Sequence, residues 1–160
     1  GYPNDTLAII APGKTFRNEA TDATHEAQFH QIEGLLIGKD ISLAHLRGVL
    51  EHLFTGIFGK AIQVRLRTSF FPFTEPSAEI DMQCFKCEGA GCGVCKQTGW
   101  IEIMGSGMVH PKVLENCGVD SRVYQGFAFG GGVDRLAMLK WGIDDVRLLY
   151  SGDLRVVNQF

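Results

Sequence analysis

The chain has 160 residues, of which 45% are hydrophobic and 21% are charged, and its net charge is −3. This composition excludes a disordered or fibrous chain, and the length allows one compact domain with a core. No apolar run approaches the roughly 20 residues that cross a bilayer, and no secretory leader is visible in the polar first residues. The acidic net charge argues against a free-standing nucleic-acid-binding module.

The first part of the chain predicts strands followed by one long helix. The chain opens without methionine directly into a strand-like segment, so we expect a fragment or processed chain. Because neither a secretory leader nor a membrane-spanning run is visible, we expect a cytoplasmic location and no membrane partner. The predicted elements are a strand over residues 6–11 that ends at Pro12-Gly13, a further strand over 14–18, a polar loop over 19–26, a strand over 29–37 and a helix over 41–58. Apolar residues recur at spacings of three and four in the helix, and Asp40 or Ser42 is its predicted N-cap.

The second part predicts more strands and two shorter helices. Residues 62–67 alternate between apolar and polar types, as in a strand with one buried face. Residues 79–83 and 100–104 predict two strands, followed by a helix at 111–116 that stops at Gly118 and a helix at 133–141 that ends at Gly142. Strands joined by hairpins with interleaved helices favour an α+β fold, with a mainly antiparallel sheet flanked by helices.

Four cysteines fall within one short segment, in the pattern Cys84-x2-Cys87-x4-Cys92-x2-Cys95. Each CxxC pair offers two thiolates from one tight turn, and four thiolates complete a tetrahedral Zn²⁺ site with no open position, which is typical of a structural site. An iron–sulfur centre and a hairpin without metal are the alternatives. Because two predicted strands flank the segment, we expect a zinc-knuckle hairpin.

The neighbours of the cysteines allow two roles for this hairpin. Phe85, Lys86 and Lys96 are aromatic and basic residues of the kind that contact RNA. The simpler interpretation is that the knuckle only fixes the hairpin tip. The fifth cysteine, Cys117, is expected to be a small apolar packing residue on the short helix.

Three segments carry a family resemblance. Arg17 followed by the strand Phe29-His30-Gln31-Ile32-Glu33-Gly34 resembles motif 2 of class II aminoacyl-tRNA synthetases. The glycine-rich run from Gly126 into the helix that carries Arg135 resembles their motif 3. The segment from Phe70 to Ser77 resembles the phenylalanine-binding segment of phenylalanyl-tRNA synthetase α subunits. Together the segments resemble that family over nearly the whole chain.

The resemblance implies a class II catalytic fold that lacks the motif 1 part. Residues 1–160 would be a single partial catalytic domain, with residues 83–99 as a zinc-knuckle insertion. The implied activity is ATP-dependent formation of phenylalanyl-adenylate and transfer of phenylalanine to tRNA(Phe). The implied partners are ATP, phenylalanine, tRNA(Phe) and a β subunit, in an (αβ)2 heterotetramer. The activity of the 160 residues alone stays open.

The resemblance also implies the residues that bind ATP. Arg17 would hold the α-phosphate and Arg135 the γ-phosphate end, as the two catalytic residues. His25 would lie near the β- and γ-phosphates, and Phe29 would stack on adenine. Arginine suits this role because its planar guanidinium stays charged and binds phosphate oxygens in pairs. Mg²⁺ would neutralise the phosphates, through Glu75 or another acidic residue near it.

A second set of residues would bind phenylalanine. Gln31 and Glu33 are expected on one face of a strand, where they suit the ammonium and carboxylate end of the amino acid. Phe71 and Phe73 alternate across Pro72 and are expected to share a face that meets the substrate ring. By resemblance, Ala128 closes the pocket near the para position.

Two other functions compete with this one. The first is a catalytically inactive, zinc-stabilised paralogue that binds RNA or protein. The second is a class II synthetase paralogue that activates another amino acid. The four polar residues Arg17, Gln31, Glu33 and Arg135 argue against the first, and the aromatic pocket argues against the second.

Overall fold

A computed structural model describes residues 6–18, 20–23 and 25–159 of the chain. Its elements follow the order β1 (Leu7–Phe16), β2 (Gln28–Gly38), α1 (Leu43–Phe58), β3 (Val64–Phe71), β4 (Thr74–Gln83), β5 (Trp100–Val109), α2 (Pro111–Asn116), β6 (Gln125–Gly132), α3 (Val133–Trp141), a 3₁₀ helix (Val146–Leu149) and α4 (Leu154–Val157). The six strands form one sheet in the order β1-β2-β6-β5-β4-β3. The predicted α+β fold with its sheet and helices is confirmed.

The first strand differs from the prediction at Pro12-Gly13. The sequence predicted a stop there and a separate strand beyond it, whereas β1 runs without interruption from Leu7 to Phe16. Proline lacks the N–H that a central strand must donate, but β1 is the outermost strand of the sheet and one of its edges needs no partner. The edge position therefore explains why the strand tolerates Pro12.

Helix α1 supplies much of the core. Leu46, Leu50 and Phe54 are fully buried along one stripe, as the three- and four-residue spacing predicted. Burying such side chains stabilises the fold by about 1.5–3 kcal/mol each. Ser42 is the N-cap, and its N–H donates to Nδ1 of His45 at 3.2 Å. The helix ends at Gly59, whose φ of 72° is the left-handed conformation that glycine favours.

Strands β3, β4 and β5 form an antiparallel meander. Ser69 pairs with Ser77 across the first turn, and Ser77 pairs in turn with Gly107. The first turn consists of Pro72 and Phe73. Phe71 and Phe73, predicted to alternate across Pro72 and share a face, lie at the end of β3 and in the turn, because the chain reverses direction between them.

Helices α2 and α3 follow the prediction closely, whereas the 3₁₀ helix and α4 were not predicted. Pro111 begins α2, and α3 ends at Gly142, whose φ is 68°. Cys117, expected to be a packing residue, is instead exposed at the C-cap of α2, and Leu114 is the buried residue of this short helix. Among the residues that the structure describes, no helix is long and apolar enough to span a membrane.

The described chain divides into two compact units. The first unit takes residues 6–11 and 33–130, and the second takes residues 12–32 and 131–159. The predicted loop over residues 19–26 is irregular where it is described, and Glu19 and Thr24 lie outside the described residues.

Candidate functional site

In the second unit, Arg17 lies beside Phe29. Arg17 directly follows β1, and its backbone N–H donates to the carbonyl of Ala27 at 2.9 Å, just before β2 begins. Its guanidinium carbon lies 4.9 Å from the centre of the Phe29 ring, within the range of a cation–π contact. The side chain of Arg17 is exposed. The structure therefore brings the predicted phosphate ligand and the predicted adenine-stacking ring together.

His25 lies in the loop between these strands. Its ring Nδ1 is 3.0 Å from a carboxylate oxygen of Asp22, and both side chains are 59% exposed. The same loop accepts a hydrogen bond from Val146 N–H at the carbonyl of Ala23, at 2.9 Å. The imidazole of His25 is therefore exposed and in contact with a carboxylate, and its role near the β- and γ-phosphates stays a prediction.

A polar cluster surrounds Asp134, beside the predicted catalytic Arg135. The Asp134 carboxylate accepts a hydrogen bond from the backbone N–H of His30 at 2.7 Å and another from the Tyr150 hydroxyl at 2.6 Å. The rings of His30 and Tyr150 stack with centres 6.1 Å apart. Burial and the bond to Asp134 raise the pKa of Tyr150, so its hydroxyl stays protonated as a donor. Arg135 is exposed on the first turn of α3.

The cluster binds β2 at His30, the residue between the predicted ligands Phe29 and Gln31. The sequence did not reveal the cluster, because its three members are far apart in the chain.

In the first unit, Glu33 lies against Gly130. A Cβ atom placed at Gly130 would collide with the Glu33 carboxylate, so a side chain there would displace it. The neighbouring strand residues Phe127 and Phe129 are buried and line an apolar cavity of about 200 Å³ together with Val49 of α1. By strand alternation, Ala128 and Gly130 point to the other face of the sheet. Half-buried Ala128 therefore lies on the same face of the sheet as Gly130, the glycine that contacts Glu33.

The predicted ring-binding residues occupy different surroundings. Phe71 is half-buried, whereas Phe73 is 70% exposed in the turn. Glu75 is exposed near the start of β4, and in the described part of the chain it joins no group of three or more metal-binding side chains. The convergence of the phenylalanine-binding set with the phosphate-binding set stays a prediction.

The four cysteines lie together at the tip of the β4–β5 hairpin. All four Sγ atoms are within 4.8 Å of one another. Three sulfur pairs are 3.7, 3.7 and 3.8 Å apart, namely Cys84–Cys92, Cys87–Cys95 and Cys92–Cys95. Four thiolates at about 2.3 Å from one Zn²⁺ would be roughly 3.8 Å apart at the edges of a tetrahedron. The spacing fits a tetrahedral metal site, and no pair forms a disulfide.

Hydrogen bonds lower the pKa of the Cys92 and Cys95 thiols, whereas burial raises the pKa of the Cys84 thiol to about 11. Gly91 N–H donates to the Cys87 sulfur at 3.2 Å, while Cys92 and Gly99 donate to the Cys95 sulfur at 3.1 and 3.3 Å. Burial alone would raise the pKa of Cys95, but these backbone hydrogen bonds lower it to about 6. Thiolate is the form that binds a metal, so the cluster can hold one.

The knuckle packs on the end of α1. Phe85 stacks on Phe58 with ring centres 4.7 Å apart, and Lys60 forms an ion pair with Glu88 at 2.9 Å. Phe85 is therefore half-buried in a protein contact, which favours a role in packing over a role in stacking on RNA. Lys86 and Lys96 are exposed.

Comparison with known proteins agrees with this geometry. The family model for "tRNA synthetases class II core domain (F)" matches residues 3–160. Proteins named "Phenylalanine--tRNA ligase alpha subunit" from Streptococcus pneumoniae (strain Hungary19A-6) and Streptococcus thermophilus (strain CNRZ 1066) are each 60% identical to the chain over 159 residues, or 99% of its length. The chain spans 46% of the length of these curated relatives. The chain belongs to the class II tRNA synthetase core-domain family.

Proposed function

We propose that this chain is the catalytic segment of the α subunit of a phenylalanine–tRNA ligase. The observation that carries the proposal is 60% identity over 99% of the chain to proteins that bear that name. The contacts at Arg17, Glu33 and Phe71 support it, since each is made by a side chain of the type that the reaction needs. Because the chain spans about half of its relatives, the activity belongs to the larger protein.

The first step would join phenylalanine to AMP. A carboxylate oxygen of phenylalanine attacks the α-phosphorus of ATP, a new P–O bond forms, and the bond to pyrophosphate breaks. Both reactants are anions, so the site must align them and stabilise charge on the phosphate oxygens. Arg17 would bind the α-phosphate while Phe29, 4.9 Å from its guanidinium, stacks on adenine. Arg135 would bind the γ-phosphate, with Mg²⁺ on the phosphates through Glu75 or a neighbouring acidic residue.

The second step would transfer phenylalanine to tRNA. A terminal ribose hydroxyl attacks the carbonyl of the adenylate, an ester forms, and AMP leaves. Gln31 and Glu33 would hold the ammonium end of the amino acid during both steps. Phe71, Phe73 and Ala128 would enclose its ring.

The cysteine cluster would bind Zn²⁺ as a structural ion. Its four thiolates leave no open position for a substrate, and the stacked Phe85 ties the hairpin to α1. A β subunit and tRNA(Phe) would complete the enzyme, in an (αβ)2 assembly.

Pyrophosphate exchange on the complete enzyme tests the proposal. The full-length α subunit that contains this chain, purified with its β subunit, should exchange labelled pyrophosphate into ATP only when phenylalanine is present. Arg17→Ala should lower kcat/KM for exchange by on the order of 100-fold or more, as expected when one preorganised charged group is lost.

Arg155 provides a matched arginine control. The side chain of Arg155 is 90% exposed and forms an ion pair with Asp153, which is not a predicted ligand. Arg155→Ala should therefore leave pyrophosphate exchange unchanged. A wild-type enzyme that shows no phenylalanine-dependent exchange, but binds RNA or another protein, would support the inactive paralogue instead. Exchange that depends on a different amino acid would support the other synthetase.

A further inference from the structure

The ring of Phe71 crosses the sheet and rests on Gly105. Phe71 ends β3, while Gly105 lies on β5, with β4 between them in the sheet. A Cβ atom placed at Gly105 would lie 2.8 Å from Cζ and 3.1 Å from Cε2 of the Phe71 ring. Carbon atoms in contact prefer about 3.5–4.0 Å. The ring can occupy its place only because residue 105 has no side chain.

Hydroxyl groups fix the backbone of Phe71. The Ser77 hydroxyl accepts a hydrogen bond from Phe71 N–H at 3.0 Å and donates to the carbonyl of Thr74 at 2.8 Å. The hydroxyl oxygens of Thr74 and Ser77 are 2.7 Å apart, and both residues are buried. Phe71 is therefore held at its backbone by Ser77 and at its ring by the surface over Gly105.

A second glycine brings β5 close to this turn. A Cβ atom at Gly107 would lie 2.5 Å from the carbonyl oxygen of Pro76 and 2.6 Å from Cβ of Thr74. Because those contacts are to backbone and to a branch point, they cannot move aside as a ring tip can. Gly107 thus sets the distance between β4 and β5, and Gly105 sets the ring position within that spacing.

We propose that Gly105 is a specificity-determining residue, which shapes the amino-acid pocket by fixing the position of the Phe71 ring. The inference rests on the proposed function, in which Phe71 meets the phenylalanine side chain. A methyl group at position 105 would displace the Phe71 ring by several tenths of an ångström, since carbon atoms in contact prefer about 3.5–4.0 Å. Displacements of about 1 Å at a reacting complex cost on the order of 100-fold in rate.

The test is a double-mutant cycle on the assembled enzyme, read by pyrophosphate exchange. Gly105→Ala should raise KM for phenylalanine about tenfold and change KM for ATP less than twofold. In a Phe71→Leu background, the same Gly105→Ala change should cost less than twofold, because leucine lacks the ring atoms that meet the new methyl group. Gly13→Ala, in a strand with no atom within 4 Å of the added Cβ, is the matched control.

Each outcome decides the inference. An unchanged KM for phenylalanine, an equal rise in KM for ATP, or an equal cost in both Phe71 backgrounds would overturn it. If Gly105→Ala does not assemble, the double variant Gly105→Ala/Phe71→Leu replaces it: assembly restored by the smaller side chain supports the contact between residue 105 and the Phe71 ring, and failure in both backgrounds overturns the inference. A wild-type enzyme without phenylalanine-dependent exchange would instead refute the proposed function, before any variant is compared.

Discussion

At Gly130 the backbone of β6 passes directly beneath the carboxylate of Glu33. Glu33 is exposed, and its carboxylate can occupy this position only because Gly130 has no Cβ atom. The same dependence holds at Gly105 under Phe71. Single residues without side chains therefore determine where two predicted substrate contacts can lie, although neither glycine would touch the substrate through a functional group.

Gly130→Ala should displace the Glu33 carboxylate and weaken binding of phenylalanine. If Glu33 holds the substrate ammonium, the loss of one charged hydrogen bond is worth about 1.5–3 kcal/mol, or roughly a 10- to 150-fold rise in KM for phenylalanine. Steady-state exchange kinetics would measure it, with Glu33→Gln as the comparison. A Gly130→Ala enzyme with wild-type KM would show that this carboxylate does not bind substrate.

Tyr150→Phe should loosen β2 where it carries Phe29. The variant removes the 2.6 Å bond to Asp134 but keeps the ring that stacks on His30. The loss of a bond to a charged group should cost about 1–3 kcal/mol of stability and raise KM for ATP several-fold. Calorimetry and exchange kinetics would measure both effects. Asp134→Glu keeps the negative charge and should lose less stability than Asp134→Asn. Equal losses of stability in the two variants would show that the charge of Asp134 is not what stabilises the cluster.

The hairpin of β4 and β5 is the element that links the site to the knuckle. Thr74 and Val109 pair at one end, and Gln83 and Trp100 pair at the other, next to the cysteines. The hairpin therefore connects the turn that follows Phe71 to the predicted metal site.

Metal removal should destabilise this element. We expect a purified protein to contain one equivalent of zinc, and chelation at neutral pH to lower its Tm by several degrees, since structural zinc contributes directly to folding. Cys84→Ser should have the same effect without chelator. Cys117→Ser should have none, because Cys117 is exposed and lies outside the cluster. Metal analysis and thermal melts measure these quantities; a zinc-free protein with an unchanged melt would contradict the assignment.

The elements also show what the sequence could reveal. Helix α1, the glycine that ends α3 and the position of the cysteine hairpin followed from periodicity and local residue types. Local rules failed at Pro12 and at Pro72-Phe73, because the outcome depended on which strand lies at the sheet edge and where the chain turns. The contacts of Gly105, Gly130 and Asp134 join distant segments, and no local pattern in the sequence contains them.

For the molecule as a whole, ion pairs between carboxylates and basic side chains determine how the free energy of unfolding changes at acidic pH. The net charge is only −3, and several carboxylates have their pKa lowered by a neighbouring arginine or lysine; they are Asp81, Glu88, Asp120, Asp145 and Asp153. Pairs at the surface contribute little to stability because water screens them. Asp81 differs, since its side chain is only 4% exposed.

Asp81 binds two arginines of the neighbouring strand. Arg65 donates to it at 2.6 Å and Arg67 at 2.7 Å, while Arg67 also pairs with Glu102. Burial alone would raise the pKa of Asp81, but the hydrogen bonds from Arg67 and Arg65 outweigh it, so the pKa lies below its usual value. The folded state therefore binds fewer protons at this carboxyl than the unfolded chain does.

Asp81→Asn should flatten the acid side of the stability profile of the 160-residue chain. A lowered folded pKa gives stability that is fully present above the unfolded pKa of about 3.9 and is lost as the pH falls through the folded value. We expect the variant to lose on the order of 1–3 kcal/mol at pH 7, because the arginines stay half-exposed, and to approach wild type as the pH falls through the lowered pKa of Asp81 in the folded state. Urea unfolding at pH 3 to 7 measures this, with Asp153→Asn as the exposed control. A constant difference between variant and wild type at every pH would show that packing, and not the charge of Asp81, provides its stabilising effect.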